Sequence, residues 1–494
     1  MSLANTNSPQ NAASWWSRPS GGREVLLTAL PLVISSLSWT IMTFVDRMFL
    51  FSVSGAAMSA AFFASVVWFG LFCLPLGICS YASTFIAQYF GDHQPKRIGP
   101  SMWQSVWMSF TAVPVAMVAI PFAPLIFSVA NHGTETASME VSYFQILCLA
   151  GPALVISQGF SSFYSGRGET WVVMFVDAVV TLINLALDYL WIFGYGGFPE
   201  MGIVGAGMAT AVAFWLKVVL YLCLVLQRKH RLTFNTLQGF RFDPKLFYRL
   251  LYFGGPSGLQ MLLDVLGFSV FVLLIGRLGN LESEATSMAF SISTLAFMPI
   301  YGFSLAVSIL VGQRLGENRD DLASQATWTT YQIALAYIGL VSFFYIFLPD
   351  LFLFGFFKQS AQNVSGQAAL RTMASNLLCF VATYNLLDAT LMIFVSALKG
   401  AGDTRFILNV SLLMATLLAG LSWLAVEVLQ FGVYGCWTVL TVWIWGLGIT
   451  YVCRFLQGKW KSMRVIEVRG TGHSSGSTSQ NGQPSKTADP TVAQ

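Results

Sequence analysis

Charge is what this chain has least of. Asp, Glu, Lys and Arg make up 10% of its 494 residues, against about 25% in soluble globular domains. Such a composition cannot clothe a water-facing surface, so a soluble globular class is excluded. Histidine is scarce as well, and His93, His132, His230 and His473 fall in loops or the tail. The seven cysteines all lie in apolar runs, without a CxxC pair or a neighbouring histidine, and read as small hydrophobes. No zinc or iron site and no cofactor is therefore expected. There is no Gly-rich phosphate loop ending in Lys-Ser/Thr and no nucleotide-binding domain, so any pumping must draw on an ion gradient. No His, Ser/Lys or metal constellation suggests an enzyme. The net charge of +4 comes without a basic, aromatic-interleaved patch in a soluble segment, so nucleic acid is not an expected partner.

What is present is apolar. Hydrophobic residues reach 55% and the mean hydropathy is +0.65. A helix needs about 20 apolar residues to cross a bilayer. Runs of that kind occur at about 25–50, 56–90, 101–129, 141–164, 171–196 and 203–226, and again at about 246–276, 285–315, 326–356, 372–398, 406–428 and 432–456. The fold class expected is an all-α polytopic membrane protein, with twelve transmembrane helices in two six-helix lobes. The segmentation is 1–22 amino-terminal segment, 23–227 first lobe, 228–245 inter-lobe linker, 246–458 second lobe and 459–494 tail. The first 20 residues are polar and carry no cleavable signal pattern. The tail, rich in Gly, Ser, Thr and Gln, is expected to be disordered.

Loop charge orients the helices. Basic residues gather at the amino terminus and after even-numbered runs, among them Arg18, Arg23, Lys96, Arg97, Arg167, Arg228, Arg314, Lys399 and Arg405. The opposite side has only Arg47, Arg277, Lys358 and Arg371. Both termini are expected in the cytoplasm, and the bilayer of the plasma (inner) membrane is the expected partner.

The two halves repeat. Pro75, Gln88 and Gly91 correspond to Pro299, Gln313 and Gly316, GRGET at 166–170 to GAGDT at 400–404, and Gly202 and Gly205 to Gly432 and Gly435. Six helices per copy return each half in the same orientation, which makes a parallel repeat with its axis along the membrane normal. A substrate cavity between the halves is the expected layout.

Few charges lie deep in the runs, and intramembrane carboxylates cost roughly 3 kcal/mol even on lenient insertion scales. They are Asp46, Asp177, Asp188 and Lys217 in the first half, and Asp264 and Asp388 in the second. Asn184 and Asp188 are four apart on one helix face, as are Tyr384 and Asp388. The amide can hydrogen-bond a protonated carboxyl or share a cation with a charged one. Asp46, Asp188, Asp264 and Asp388 stand without matching intramembrane bases, which suits exchange of H⁺ or Na⁺ and favours cationic amphiphilic substrates. Asp177 and Lys217 lie at similar depth on adjacent helices and are expected to pair as a structural link. Asp46 and Arg47 point about 100° apart and should not pair, leaving Arg47 to reach the outer headgroups. Pro31, fifteen residues before Asp46, is a hinge or a static kink.

Taken together, FVDRM at 44–48, FIAQYFG at 85–91, GRGET, FPEMGIVGAGMATA at 198–211, GGPSGLQMLLD at 254–264 and YNLLDATLMIFVSALKGAGDT at 384–404 resemble the multidrug and toxic compound extrusion (MATE) family, in its NorM-like branch with some DinF-like features. The resemblance covers roughly 25–455. It implies a monomeric, cation-coupled drug antiporter working by rocker-switch alternating access. The family's second-lobe acid falls on Asp264, where Glu is more usual, and its Tyr-x-x-x-Asp on Tyr384 and Asp388. Its first-lobe network falls on Asp46, Asn184, Asp188 and Thr210, with protonation linked to bending at Pro31 in the DinF-like branch. A lipid-linked precursor flippase of the same superfamily is the alternative; it would want a basic cavity, against which the acids argue.

Overall fold

The computed structural model describes residues 14–128, 134–357 and 364–467. Among them the regular elements are all helical. This follows from the solvent: hydrocarbon offers no partner for a backbone N–H or C=O, so a spanning segment must bond its backbone within itself. Twelve helices are long and apolar enough to cross a membrane. They are α1 Gly22–Val53, α2 Gly55–Gly91, α3 Pro95–Ser128, α4 Thr134–Ser165, α5 Thr170–Phe193, α6 Gly202–Val225, α7 Pro244–Gly276, α8 Asn280–Gly316, α9 Asp320–Phe347, α10 Val364–Ala401, α11 Thr404–Val428 and α12 Gly432–Leu456. The apolar run at 326–356 does not stay one helix. It breaks at Leu348, and a short helix, Pro349–Phe357, follows, because the ring of Pro349 disfavours helical backbone at the residue before it.

Within each half, the helices pack in one pattern. In the first, α4 lies against α2, α3 and α6, while α1 pairs with α5 and α5 with α6. In the second, α10 lies against α8, α9 and α12, while α7 pairs with α11 and α11 with α12. Each half has its own apolar core, one around Phe72, Phe85 and Phe144, the other around Phe271, Ile393 and Trp437. The halves meet through α1 on α8, its counterpart α2 on α7, and α2 on α8. Ala29, Leu32 and Val33 of α1 join the second core, and Leu246 and Leu250 of α7 join the first.

Both described chain ends and the linker share one face, here the linker face. Trp103 and Trp107 of α3 donate to the linker carbonyls of Thr236 (2.5 Å) and Phe240 (2.9 Å). At this face the two halves clasp each other reciprocally. Gln88 donates from Nε2 to the Gly400 carbonyl at 3.0 Å, and Gln313 from Nε2 to the Gly166 carbonyl, also at 3.0 Å. The chain repeats in FIAQYFG, GRGET and GAGDT are thus the places where the halves touch. Arg314 of α8 pairs with Glu24 of α1, and Tyr81 donates to the Lys399 carbonyl at 2.8 Å. The inter-lobe hydrogen bonds run from this face to Ser36, whose hydroxyl donates to the Met298 carbonyl at 3.1 Å near mid-helix.

One further expectation changes. The tail does not begin at 459: residues 459–467 are ordered, with Trp460, Val465 and Ile466 buried. Their apolar side chains had neighbours that a composition reading of 459–494 could not supply. The remainder of the tail (468–494), His132, His473 and Lys358 lie outside the described residues.

Glycine is required where the lobes cross. A Cβ on Gly91 would lie 2.0 Å from the Gln313 carbonyl oxygen, and one on Gly316 would lie 2.2 Å from that of Gln88. Gly91→Ala or Gly316→Ala should destabilise the protein by about 1–3 kcal/mol through overpacking, seen as a lower melting temperature in detergent. Gly339→Ala, with nothing within 4 Å, is the control. Equal melting of Gly91→Ala and this control would contradict the close crossing.

Candidate cation site

The acids sit on different helices, and the packing decides which of them meet. On α1, Asp46 is 8% exposed and one carboxylate oxygen accepts from the Tyr143 hydroxyl of α4 at 3.2 Å. On α5, Asp188 is fully buried, and neither of its oxygens has a protein donor. Asp46 keeps one oxygen without a donor too. Because α1 packs along α5, the two carboxylates are close enough for their charges to interact. Asn184, one turn before Asp188, is fully buried with both amide atoms unpartnered. Thr210 is buried on α6, which packs along α5. Two turns along α1 from Asp46, Trp39 stacks on Phe214 of α6 at 5.7 Å, and Trp68 of α2 stacks on the same ring at 6.2 Å. Like-charged carboxylates with unfilled lone pairs in a low-dielectric lobe form a strong electrostatic sink for a cation or proton.

In the second lobe the arrangement differs. Asp264 of α7 is half-buried and accepts from Gln260 Nε2, one turn earlier, at 2.8 Å. Lys399, at the linker-face end of α10, is close enough for its charge to act on Asp264, although the two make no ion pair. This corrects the expectation that the acids lack an intramembrane base. Lys399 follows a Leu-rich run and reads as a loop residue, but α10 extends to Ala401, so the side chain stays half-buried. Asp388 of α10 is half-buried. Tyr384, one turn before it, shares a 2.9 Å hydrogen bond with Ser293 Oγ of α8 and stacks on Trp437 at 6.3 Å. Asp264 and Asp388 each have their own surroundings, whereas Asp46 and Asp188 form one pair.

Pro31 is buried inside α1, which stays continuously helical from Gly22 to Val53. Arg47 is half-buried, its guanidinium 5.0 Å from the exposed Phe62 ring of α2, and it makes no ion pair with Asp46 among the described residues. A cation–π contact of this kind holds it to the protein.

Sequence reasoning missed Tyr143, Gln260 and Ser293. Gln260 had a signal, the same four-residue spacing before an acid as Asn184 and Tyr384. Tyr143 and Ser293 had none, because Tyr143 reaches Asp46 and Ser293 reaches Tyr384 across helix packing.

Asp177 and Lys217 do pair, at 2.6 Å between α5 and α6, and Ser35 of α1 also donates to Asp177. The side chains are 14% and 16% exposed. Breaking such a pair leaves an unmatched charge, at a cost of about 3–5 kcal/mol. Asp177→Lys and Lys217→Asp should each reduce folded yield in membranes, and the double reversal should recover it. A double variant as poor as either single one would argue against a pairwise link.

The family model MatE matches residues 31–190 and 256–424, one segment in each lobe. Among solved structures, the fold is similar to an outward-facing multidrug resistance MATE family transporter of the MOP superfamily, with TM-score 0.81 and 17% identity over 91% of this chain and 98% of that one. It is also similar to the eukaryotic MATE transporter AtDTX14, with TM-score 0.79 and 17% identity over 89% and 96%. A MOP superfamily transporter from Pyrococcus furiosus, described as having a binding pocket of reverse polarity that suggests a different function, matches with TM-score 0.79 and 18% identity over 91% and 98%. These likenesses establish the fold. With both lobes matched by the family model, the chain belongs to the MatE family and is a multi-pass membrane transporter, not an enzyme.

Proposed function

We propose that this protein is a secondary antiporter that exports cationic amphiphilic small molecules in exchange for Na⁺ or H⁺. It works as a monomer in the plasma (inner) membrane, with the linker face in the cytoplasm. The observation that carries the reading is the Asp46–Asp188 pair, in which three of the four carboxylate oxygens have no protein donor. Two such groups favour neutralisation by a proton, a metal cation or an organic cation, and occupants of one acidic site exclude one another. Rocker-switch alternation converts that competition into coupled flux, because each occupant is taken from the side where its chemical potential is higher. In the other lobe Asp264 and Asp388 stand apart, Tyr384 lies one turn before Asp388, and Lys399 already supplies part of the compensating charge to Asp264. The first-lobe pair is therefore assigned the coupling ion.

The basic residues of the linker face support its cytoplasmic placement. The clasp made by Gln88 and Gln313 holds that face closed, which corresponds to the outward-facing half of the cycle. The stacked Trp39, Phe214 and Trp68 rings provide cation–π faces for an organic cation.

Ethidium efflux from proteoliposomes under separately imposed Na⁺ and pH gradients tests the proposal. Asp46→Asn and Asp188→Asn should each cut gradient-driven efflux by about tenfold or more, under whichever gradient drives the native protein. Asp264→Asn and Asp388→Asn should lower it less. Normal pumping by all four variants would falsify the site. Efflux by the native protein under neither gradient would remove the antiport reading.

A further inference from the structure

The segment after α12 has the geometry of a strap across the seam between the lobes. The chain turns at Gly458, which has φ +72°, and a single 3₁₀ turn, Lys459–Ser462, follows. Trp460 is 1% exposed, stacks on Phe455 of α12 at 4.7 Å and donates from its indole to the Phe455 carbonyl at 2.9 Å. Its ring belongs to the second lobe's core. Met463 is extended, and the chain then bends at Val465 and Ile466, which are buried in the first lobe's core. The two apolar anchors of one short segment thus sit in opposite lobes.

Polar contacts reinforce both ends. The Val465 N–H donates to Gln88 Oε1 at 2.8 Å, and the same Gln88 amide donates to the Gly400 carbonyl. Gln88 can complete the clasp and receive the strap at once only while the seam is shut. The Val465 carbonyl accepts from Arg249 of α7. Glu467 pairs with Arg249 at 2.9 Å and reaches Arg97 of α3 at 3.8 Å. Lys461 pairs with Asp320 of α9 at 3.2 Å, and Arg464 donates to the Asn318 side chain at 3.4 Å.

We propose that residues 459–467 are an intrachain latch that holds the linker face closed and must let go of the first lobe before that face can open. The inference rests on the alternating-access reading above. Opening this face separates Gln88 from Gly400, and a segment anchored in both cores cannot follow both lobes. Releasing the strap from Gln88, Arg97 and the first core exposes Val465 and Ile466 to water, so the closed state is favoured while the latch is in place. Anything that holds the strap away from the seam shifts the population toward the open linker face.

The test reads conformation directly, so it does not depend on the substrate or coupling ion. Spin labels at Lys96 and Asp321, both exposed on the linker face of different lobes, report the opening by double electron–electron resonance in nanodiscs. Truncation after Gln457, and separately Val465→Pro, which removes the N–H given to Gln88, should each lower the closed-to-open ratio by about tenfold. A third protein, Arg97→Cys with Glu467→Cys in a background without the native cysteines, should be bridged by a short bis-maleimide whose spacer contains a reducible disulfide, which spans the gap left by the two long side chains. It should then stay closed and stop exchanging states, and reduction should restore exchange. Unchanged distance distributions in both the truncated and the Val465→Pro proteins would overturn the latch, as would a cross-linked protein that still opens. If the native protein shows one linker-face distance under every condition, alternating access itself fails, and that result is distinct from the other two.

Discussion

A carboxylate cannot face hydrocarbon without losing its hydration, and this cost orders the whole molecule. Asp46 and Asp188 are buried among neighbouring helices and Asp264 and Asp388 are half-buried, in keeping with a hydrocarbon that offers a carboxylate nothing. Helices that carry them must be covered by other helices, which is why α1, α5, α7 and α10 are packed along partners within their lobes. The exposed large side chains are those of helix faces turned outward, such as Phe44, Met117, Phe175 and Leu273. Lipid accepts them at no cost, so they need no explanation beyond the bilayer. Polar atoms left without protein partners in that setting are expensive. Asn184 and Asp188, one turn apart on α5, each leave both polar side-chain atoms without a protein partner.

The scaffold is symmetric and the chemistry on it is not. The offset that carries Gly77 to Gly302 also carries Val33 to Gly258. Gly77 approaches Gly258 and Gly302 approaches Val33 so closely that a Cβ would meet the partner backbone at 2.7 Å in both cases. Pro31 and Pro256 correspond in the same way. That offset nevertheless takes Asp46 to Phe271 and Asp264 to Trp39. Matching helices are what a rocking motion needs, since the two lobes must present equivalent surfaces to each other. One lobe holds a buried pair with three of its four carboxylate oxygens lacking a protein donor, the other holds two separate acids of which Asp264 has Gln260 and Lys399 nearby, and the packing is the same in both.

Closure and the acidic site are connected through α1 and α2. The first turns of α1 bind the other lobe through Glu24 and Arg314, and its far half carries Asp46. The start of α2 packs beside Asp46's helix, while its linker-face end supplies Gln88. Any change at the seam therefore moves helices that carry or flank the carboxylates. Arg47, beside the Phe62 ring, adds a contact between α1 and α2 near the acid. The contacts are thus continuous from the linker face to the buried pair.

The helices, their number, the repeat and the acids were legible from the chain. Length of apolar run and rarity of charge leave a bilayer-spanning helix no competitor, and an intramembrane Asp is conspicuous in any reading. The Asp177–Lys217 link could be foreseen as well, because depth along adjacent helices is simple counting. Gln260 was within reach by the same counting. What counting could not supply was anything formed across helix faces: Tyr143 on Asp46, Ser293 on Tyr384, Lys399 near Asp264. Rotation of each helix about its axis and the crossing of its neighbours set those, and one sequence does not encode them locally. The strap is the clearest case. Read as composition, 459–467 continues a polar tail, because Trp460, Val465 and Ile466 acquire their value only from pockets that two separate lobes build around them.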